Sequence, residues 1–224
     1  MHILRVAGFE LFPAVFSATE CEDLLRAIGG SSLERTRAGI RHALSNASVS
    51  AFARDGRLLA IAEEALGGPA MPYRATLFEK SSQANWLVVW HQDTALPFKR
   101  RFEAPGWGPW SVKAGVPYAH APAEALEGVV ALRVHLDPSG LRNGPLRVIP
   151  GSHSRGVLSD AAISVLVREI QPFACVVPRG GVLAMRPLLV HSSSKAAGSR
   201  PRRVLHVEYT ANMVLGPGRE IAAA

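Results

Sequence analysis

Apolar residues in the first third of the chain recur every three or four positions, and from Pro72 onward the interval shortens to two. Leu24, Leu25 and Ile28 form a helical stripe, opened by a capping box at Ser17-Ala18-Thr19-Glu20 and ended by Gly29-Gly30. Leu58, Leu59, Ile61, Ala62 and Leu66 form a second stripe within 50–66, stopped by Gly67-Gly68-Pro69. Residues 1–70 are therefore expected to be a mostly helical packing layer. Short runs rich in aromatic and β-branched residues follow at 73–80, 86–90, 128–136, 146–149, 173–177, 181–186 and 204–209. Turn formers separate several of them, among them Asp137-Pro138-Ser139-Gly140, Asn143-Gly144-Pro145 and Pro178-Arg179-Gly180-Gly181. This predicts a mainly β sandwich or barrel of the jelly-roll kind over 72–210, with flanking helices and one inserted helix at 159–170. Residues 94–127 fit neither period. Their prolines, and Trp107 and Trp110 among glycines, point to a lid-like loop. No repeat or linker divides the chain, so 1–224 is expected to form a single domain.

Composition narrows the partners. The formal charge of +7 favours anionic ones, but the longest basic cluster is Lys99-Arg100-Arg101, too short for a nucleic-acid arm. No run approaches the ~20 apolar residues of a membrane span, and Met1-His2-Ile3-Leu4-Arg5 lacks a signal-peptide core. Cys21 and Cys175 lie far apart, which argues against a disulfide scaffold and a zinc ribbon. A cytoplasmic protein is expected, with a small-molecule substrate and neither nucleic acid nor membrane as partner.

The chemistry centres on His91-Gln92-Asp93, which closes the run Trp86-Leu87-Val88-Val89-Trp90. In extended backbone residues i and i+2 share a face, so this imidazole and carboxylate lie side by side, two thirds of a metal site. Of the eight histidines, His191 is the best third ligand: it ends Leu188-Leu189-Val190, precedes Ser192-Ser193-Ser194, and lies 100 residues beyond His91. Two histidines and one carboxylate leave positions open on an octahedral metal, the arrangement of non-haem Fe(II) oxygenases. A bidentate 2-oxo acid filling two of those positions needs a fixed cation for its distal carboxylate, a role suited to arginine's planar fork. Arg200-Pro201-Arg202-Arg203 supplies it, and alternation leaves open whether Arg202 or Arg203 faces inward.

His91-Gln92-Asp93, the run from Asn143-Gly144-Pro145-Leu146 to Pro150-Gly151-Ser152-His153, and His191 followed eleven positions later by Arg202 together resemble the phytanoyl-CoA dioxygenase family. The resemblance covers roughly residues 73–209 and implies a double-stranded β-helix (jelly-roll, cupin-like) core. It also implies an Fe(II)- and 2-oxoglutarate-dependent oxygenase, hydroxylating a small organic molecule with O₂ and releasing succinate and CO₂. His91, Asp93 and His191 match the iron triad, and Arg202 matches the arginine that pairs with 2-oxoglutarate. Lys80 and Ser193 resemble a lysine and a serine near that co-substrate, and Gln92 sits inside the family's H-Q-D form as a co-substrate or substrate contact. Asp93 disfavours halogenation, because halogenating relatives carry a small residue there.

His135 and His206 are candidates for the barrel interior, Trp86, Trp107, Trp110 and Tyr118 for pocket walls, and Lys99-Arg100-Arg101 for contact with an anionic substrate. Two alternatives belong to other classes. A cupin-like metal enzyme without 2-oxoglutarate would tolerate loss of Arg202, and a non-catalytic relative would be expected to lack a metal ligand.

Overall fold

The computed structural model describes every residue except 1, 34, 37, 38, 82, 83, 198 and 199. Helix α1 (His2–Ala7) leads into strand β1 (Phe9–Phe12), so the N-terminal third is not helical throughout. Helix α2 (Ala18–Gly29) begins at the predicted box: the Ser17 hydroxyl accepts from the Glu20 amide, and the Glu20 carboxylate accepts from the Ser17 amide at 2.8 Å. A two-stranded excursion, β2 (Arg35–Thr36) and β3 (Gly39–Ile40), comes next. The single stripe expected over 50–66 is two helices, α3 (Ala47–Ala53) and α4 (Gly56–Leu66). Asp55 separates them by capping the second, its carboxylate accepting from the Arg57 amide.

The strands then follow as β4 (Met71–Lys80), β5 (Val88–His91), β6 (Ala95–Pro97), β7 (Trp110–Lys113) and β8 (Val116–His120), with short helix α5 at Ala123–Glu127. Beyond it come β9 (Val129–His135), β10 (Leu146–Val148), helix α6 (Asp160–Glu169), β11 (Phe173–Cys175), β12 (Val182–Met185), β13 (His191–Ser193) and β14 (Arg202–Thr210). A seven-stranded sheet runs β1-β12-β9-β14-β4-β3-β2 and faces a four-stranded sheet, β11-β10-β13-β5, which makes the jelly-roll core. The stretch read as a lid-like loop contains a third sheet, β6-β8-β7. Its prolines hid it. Pro97, Pro109 and Pro117 sit in or beside short strands, where a missing N–H removes at most one ladder bond.

Alternation along β14 and β9 separates the two faces of the large sheet. Leu205, Val207, Val130, Leu132 and Val134 pack with Leu24, Ile28, Val49, Leu58 and Ala62 of the helical layer. Ala131, Leu183 and Met185 point the other way and meet Leu146, Val148 and Leu189 of the small sheet. The polar residues that share this inner face therefore project into the barrel.

Candidate metal centre and co-substrate pocket

Strands β5 and β13 pair antiparallel with His91 directly opposite His191, and their ring centroids lie 4.2 Å apart. Each ring is oriented by its own strand. His91 Nδ1 donates to the Val89 carbonyl and His191 Nδ1 to the Leu189 carbonyl, both at 2.8 Å. A carbonyl only accepts, so Nδ1 carries a proton in both rings and Nε2 is the nitrogen turned toward Asp93. Those Nε2 atoms lie 3.7 and 3.6 Å from the two oxygens of Asp93, whose amide is pinned to the Pro187 carbonyl at 2.9 Å. Donor atoms of the three residues all fall within 4.8 Å of one another. Burial pushes the His191 imidazole down to about 4, Asp93 opposing only in part, so the ring is neutral and able to ligate at neutral pH. Burial alone would raise the Asp93 carboxyl, but the neighbouring His191 and His91 imidazoles hold it below the ordinary range.

Across the barrel, β14 lies between β4 and β9, and its register sets tiers along the inner face. Arg202 is opposite Lys80, Val204 is between Phe78 and His135, His206 is between Thr76 and Arg133, and Glu208 is opposite Arg74. Arg202 is the inward arginine. It is buried, whereas Arg203 turns outward and pairs with Asp137 at 2.6 Å. Lys80 is buried too, its ammonium donating to Ser193 Oγ at 2.7 Å and to the Ser194 carbonyl at 2.5 Å. Ser193 Oγ donates to the Gly144 carbonyl at 2.9 Å and accepts from Arg202 Nη2 at 3.3 Å. Gly144 permits this packing: its φ is +68°, and a Cβ there would stand 2.4 Å from the Ser194 oxygen.

This end of the barrel concentrates positive charge without an acid to match it. Burial, with Arg202 and Arg133 nearby, pulls the Lys80 ammonium down to about 7, and burial beside Arg133 pulls the Arg202 guanidinium down to about 9. Arg202 Nε and Nη1 and Arg133 Nε are buried with no hydrogen-bond partner among the described residues. A buried donor left unsatisfied costs about 1–3 kcal/mol. A carboxylate between Lys80, Ser193 and Arg202 removes that cost, so the donor set fits the distal end of a 2-oxo diacid. The triad fits a divalent metal equally well, offering two imidazole nitrogens and one carboxylate within 4.8 Å of one another.

One cavity of about 240 Å³ joins the two regions and is lined by the triad, Lys80, Ser193 and Arg202. Gln92 is not on its wall. Its amide donates to the carbonyls of Gly156 (2.9 Å) and Leu188 (2.7 Å) and accepts from the Leu158 amide (2.8 Å), clamping two loops instead of facing the cavity. His135 is buried inside the barrel with both ring nitrogens unpartnered among the described residues, and burial keeps it neutral. His206 lines the cavity and accepts from Arg133 Nη1 at 3.0 Å. Trp86 and Tyr118 are wall residues, whereas Trp107 and Trp110 meet Phe98 and Phe102 edge to face away from it. Lys99 pairs with Glu220 on the surface, and none of Lys99, Arg100 and Arg101 reaches the cavity. Sequence reading passed over Arg74, Thr76 and Phe78, although they share a face of β4 with Lys80. Arg41 and Lys113 line the cavity without any sequence pattern to mark them, and His42, which lies outside the β region and reads as an ordinary surface or core histidine, lines it too.

A family model described as phytanoyl-CoA dioxygenase (PhyH) matches residues 4–204. An L-proline trans-4-hydroxylase from Streptomyces griseoviridis is 25% identical over 178 residues, 68% of this chain, and the chain spans only 59% of that relative's length. Among solved structures, EctD from S. alaskensis with 2-oxoglutarate and 5-hydroxyectoine superposes with a TM-score of 0.71 at 21% identity, covering 94% of this chain and 74% of that one. SnoK, a non-heme alpha ketoglutarate dependent carbocyclase from nogalamycin biosynthesis, gives 0.72 at 15% identity over 100% and 92% of the two chains. At these identities the solved structures establish the shared fold.

Proposed function

The chain belongs to the phytanoyl-CoA dioxygenase family, and on that premise we propose that it is an Fe(II)- and 2-oxoglutarate-dependent oxygenase that hydroxylates a small, anionic organic molecule. The carrying observation is the pairing of two features in one cavity: a three-donor cluster with both imidazole Nε2 atoms free, and a buried arginine with two unpartnered nitrogens. Iron with 2-oxoglutarate and O₂ supplies an oxidant for an unreactive C–H bond, giving succinate and CO₂ as co-products.

The chain's own residues bind, orient and exclude. His91, Asp93 and His191 hold the ion, and the Val89 and Leu189 carbonyls keep their rings aimed. Arg202, Lys80 and Ser193 take the distal carboxylate of 2-oxoglutarate, which fixes the orientation of its reactive end toward the triad. Gln92 holds the adjoining loops in place through the backbone of Gly156, Leu158 and Leu188. Leu146, Phe78 and Val88 on the wall keep bulk water from the space between these groups. A volume of about 240 Å³, below the roughly 300–1,000 Å³ of drug-sized sites, supports a small substrate. Cations outnumber acids on the wall, which supports an anionic one. Cys21 and Cys175 are buried and unpaired, in keeping with the cytoplasm. Among the described residues no helix is long and apolar enough to cross a membrane.

The test is anaerobic addition of Fe(II) and 2-oxoglutarate to the purified protein, which is expected to produce a weak visible charge-transfer band. His191→Ala is expected to abolish it, and a broad substrate panel in air is expected to show succinate formation. A protein that gives neither band nor succinate is not an oxygenase of this kind.

A further inference from the structure

The cavity extends beyond the metal ligands to a second group of cations. Arg74 stands six residues from Lys80 on the same face of β4, roughly 20 Å along the strand. That distance is well past the span of a five-carbon diacid anchored at Arg202. Arg41, His42, Lys113 and Tyr118 join Arg74 on the wall at this end. Arg74 is neutralised by buried Glu208, its Nη2 donating to Oε1 at 2.6 Å. Lys113 and Arg41 have no such partner. Among the described residues neither side chain makes a hydrogen bond or ion pair, and the half-buried Lys113 ammonium rests 4.8 Å from the centre of the Tyr118 ring. Tyr118 is itself fixed, its hydroxyl 3.0 Å from His42 Nε2.

The backbone is strained at the same place. Among the described residues only His42 (φ 52°) and Ala114 (φ 46°) are non-glycine residues in the left-handed region. Ala114 with Gly115 (φ 80°) makes the two-residue turn between β7 and β8, whose register pairs Lys113 with Val116. A glycine at 114 would adopt this turn freely. Held strain of this kind clusters at ligand sites, and here it delivers Lys113 and His42 to one end of one cavity.

Charge points the same way. Six cations line the cavity against the single carboxylate Asp93, with Glu208 behind Arg74. A ferrous ion and a 2-oxoglutarate dianion cancel each other, so the excess positive charge remains after both have bound. Resting on the oxygenase reading above, we infer that Lys113 and Arg41 form a subsite for a carboxylate on the primary substrate. The substrate class is then a small carboxylic acid, oriented with its acid at the β7–β8 turn and its hydrocarbon part toward the triad.

The test uses anaerobic protein loaded with Fe(II) and saturating 2-oxoglutarate, so that Arg202 is occupied. Equilibrium binding is measured for a panel of small cyclic and branched carboxylic acids, their primary amides and matched phosphate monoesters. The acids are expected to bind roughly ten- to a hundredfold more tightly than their amides, the range for a charge-assisted hydrogen bond. Lys113→Met and Arg41→Gln are each expected to shrink that ratio to within about threefold, and Lys113→Arg to keep it. Unchanged 2-oxoglutarate affinity and melting temperature establish that the variants fold. The inference is overturned if no acid in the panel outbinds its amide, if the preference survives in both neutral variants, or if the phosphate esters bind best. Failure to form the Fe(II)–2-oxoglutarate complex counts against the oxygenase reading, and whether Lys113→Met and Arg41→Gln shrink the acid–amide ratio on the unloaded chain still decides the subsite.

Discussion

Replacing Arg202 with methionine is expected to stabilise the protein that lacks co-substrate while nearly abolishing 2-oxoglutarate binding. Arg202 is 4% exposed, and among the described residues the one hydrogen bond of its side chain is the 3.3 Å contact with Ser193. Burial beside Arg133 draws its guanidinium down from its ordinary value to about 9, which at 1.36 kcal/mol per pH unit amounts to several kcal/mol of unfavourable charge burial. Methionine fills much of the same volume, and Ser193 keeps its contacts with Lys80 and Gly144. After the cost of lost packing, a net gain of about 2 kcal/mol is expected, and the melting temperature rises by roughly 5 °C. The bound state changes in the opposite sense. Losing a bidentate charge-assisted pair at about 1.5–3 kcal/mol per bond weakens 2-oxoglutarate by roughly 10²- to 10⁴-fold. Thermal unfolding of the ligand-free protein and anaerobic titration with 2-oxoglutarate measure the two effects separately. A lower melting temperature together with less than a tenfold change in affinity would refute the assignment of Arg202 as an anion site held ready at a cost in stability.

Further outcomes follow from the neighbouring residues. Lys80, at about 7 in the ligand-free protein, has to be protonated to hold a dianion. 2-oxoglutarate affinity is therefore expected to fall as pH rises above about 7, with proton uptake at pH 8 seen by calorimetry in buffers of different ionisation enthalpy; Lys80→Met is expected to abolish the uptake. Gln92→Ala orphans two carbonyls and an amide and is expected to cost about 3 kcal/mol, or roughly 10 °C in melting temperature. 2-oxoglutarate affinity should then move less than tenfold, and a large loss of affinity without a change in melting would return Gln92 to the co-substrate. Gly144→Ala, whose Cβ would press on the Ser194 carbonyl that Lys80 uses, is expected to lower both stability, by about 1–3 kcal/mol, and 2-oxoglutarate affinity; an unchanged dissociation constant would count against the role given to this turn.

What the sequence disclosed followed the periodicities. Strand β14 and helices α2 and α6 lie where apolar spacing and caps place them, and His91 and Asp93 meet because positions two apart share a face. Alternation narrowed the inward arginine to one of two and could go no further. The decision came from Asp137, a residue 66 positions away that takes Arg203 on the outer side. Gln92 misled for the same reason. Its partners are backbone atoms of residues 156, 158 and 188, and no side-chain pattern announces a backbone contact. The β6-β8-β7 sheet was hidden by prolines, and with it the hairpin that brings Lys113 into the cavity. Register, the quantity that sets Arg133 beside His206, is absent from a single sequence.

The facing of His91 and His191 across β5 and β13 has a consequence for handling the protein. Strand β5 is the outermost of its sheet, with β13 as its one neighbour among the described residues, and its Val89 and the preceding Leu87 are 67% and 57% exposed. An ion shared by the two imidazoles is then a clasp that fastens a rim strand to the body of the barrel. Chelation releases the clasp and leaves an apolar strand with an open row of N–H and C=O groups, the template that recruits a second chain. Metal-stripped preparations are therefore expected to self-associate, and amide exchange over Val88–His91 to accelerate, before the rest of the fold loosens. Restoring iron is expected to keep the protein monodisperse even where no turnover is possible, so colloidal behaviour becomes a readout of metal loading.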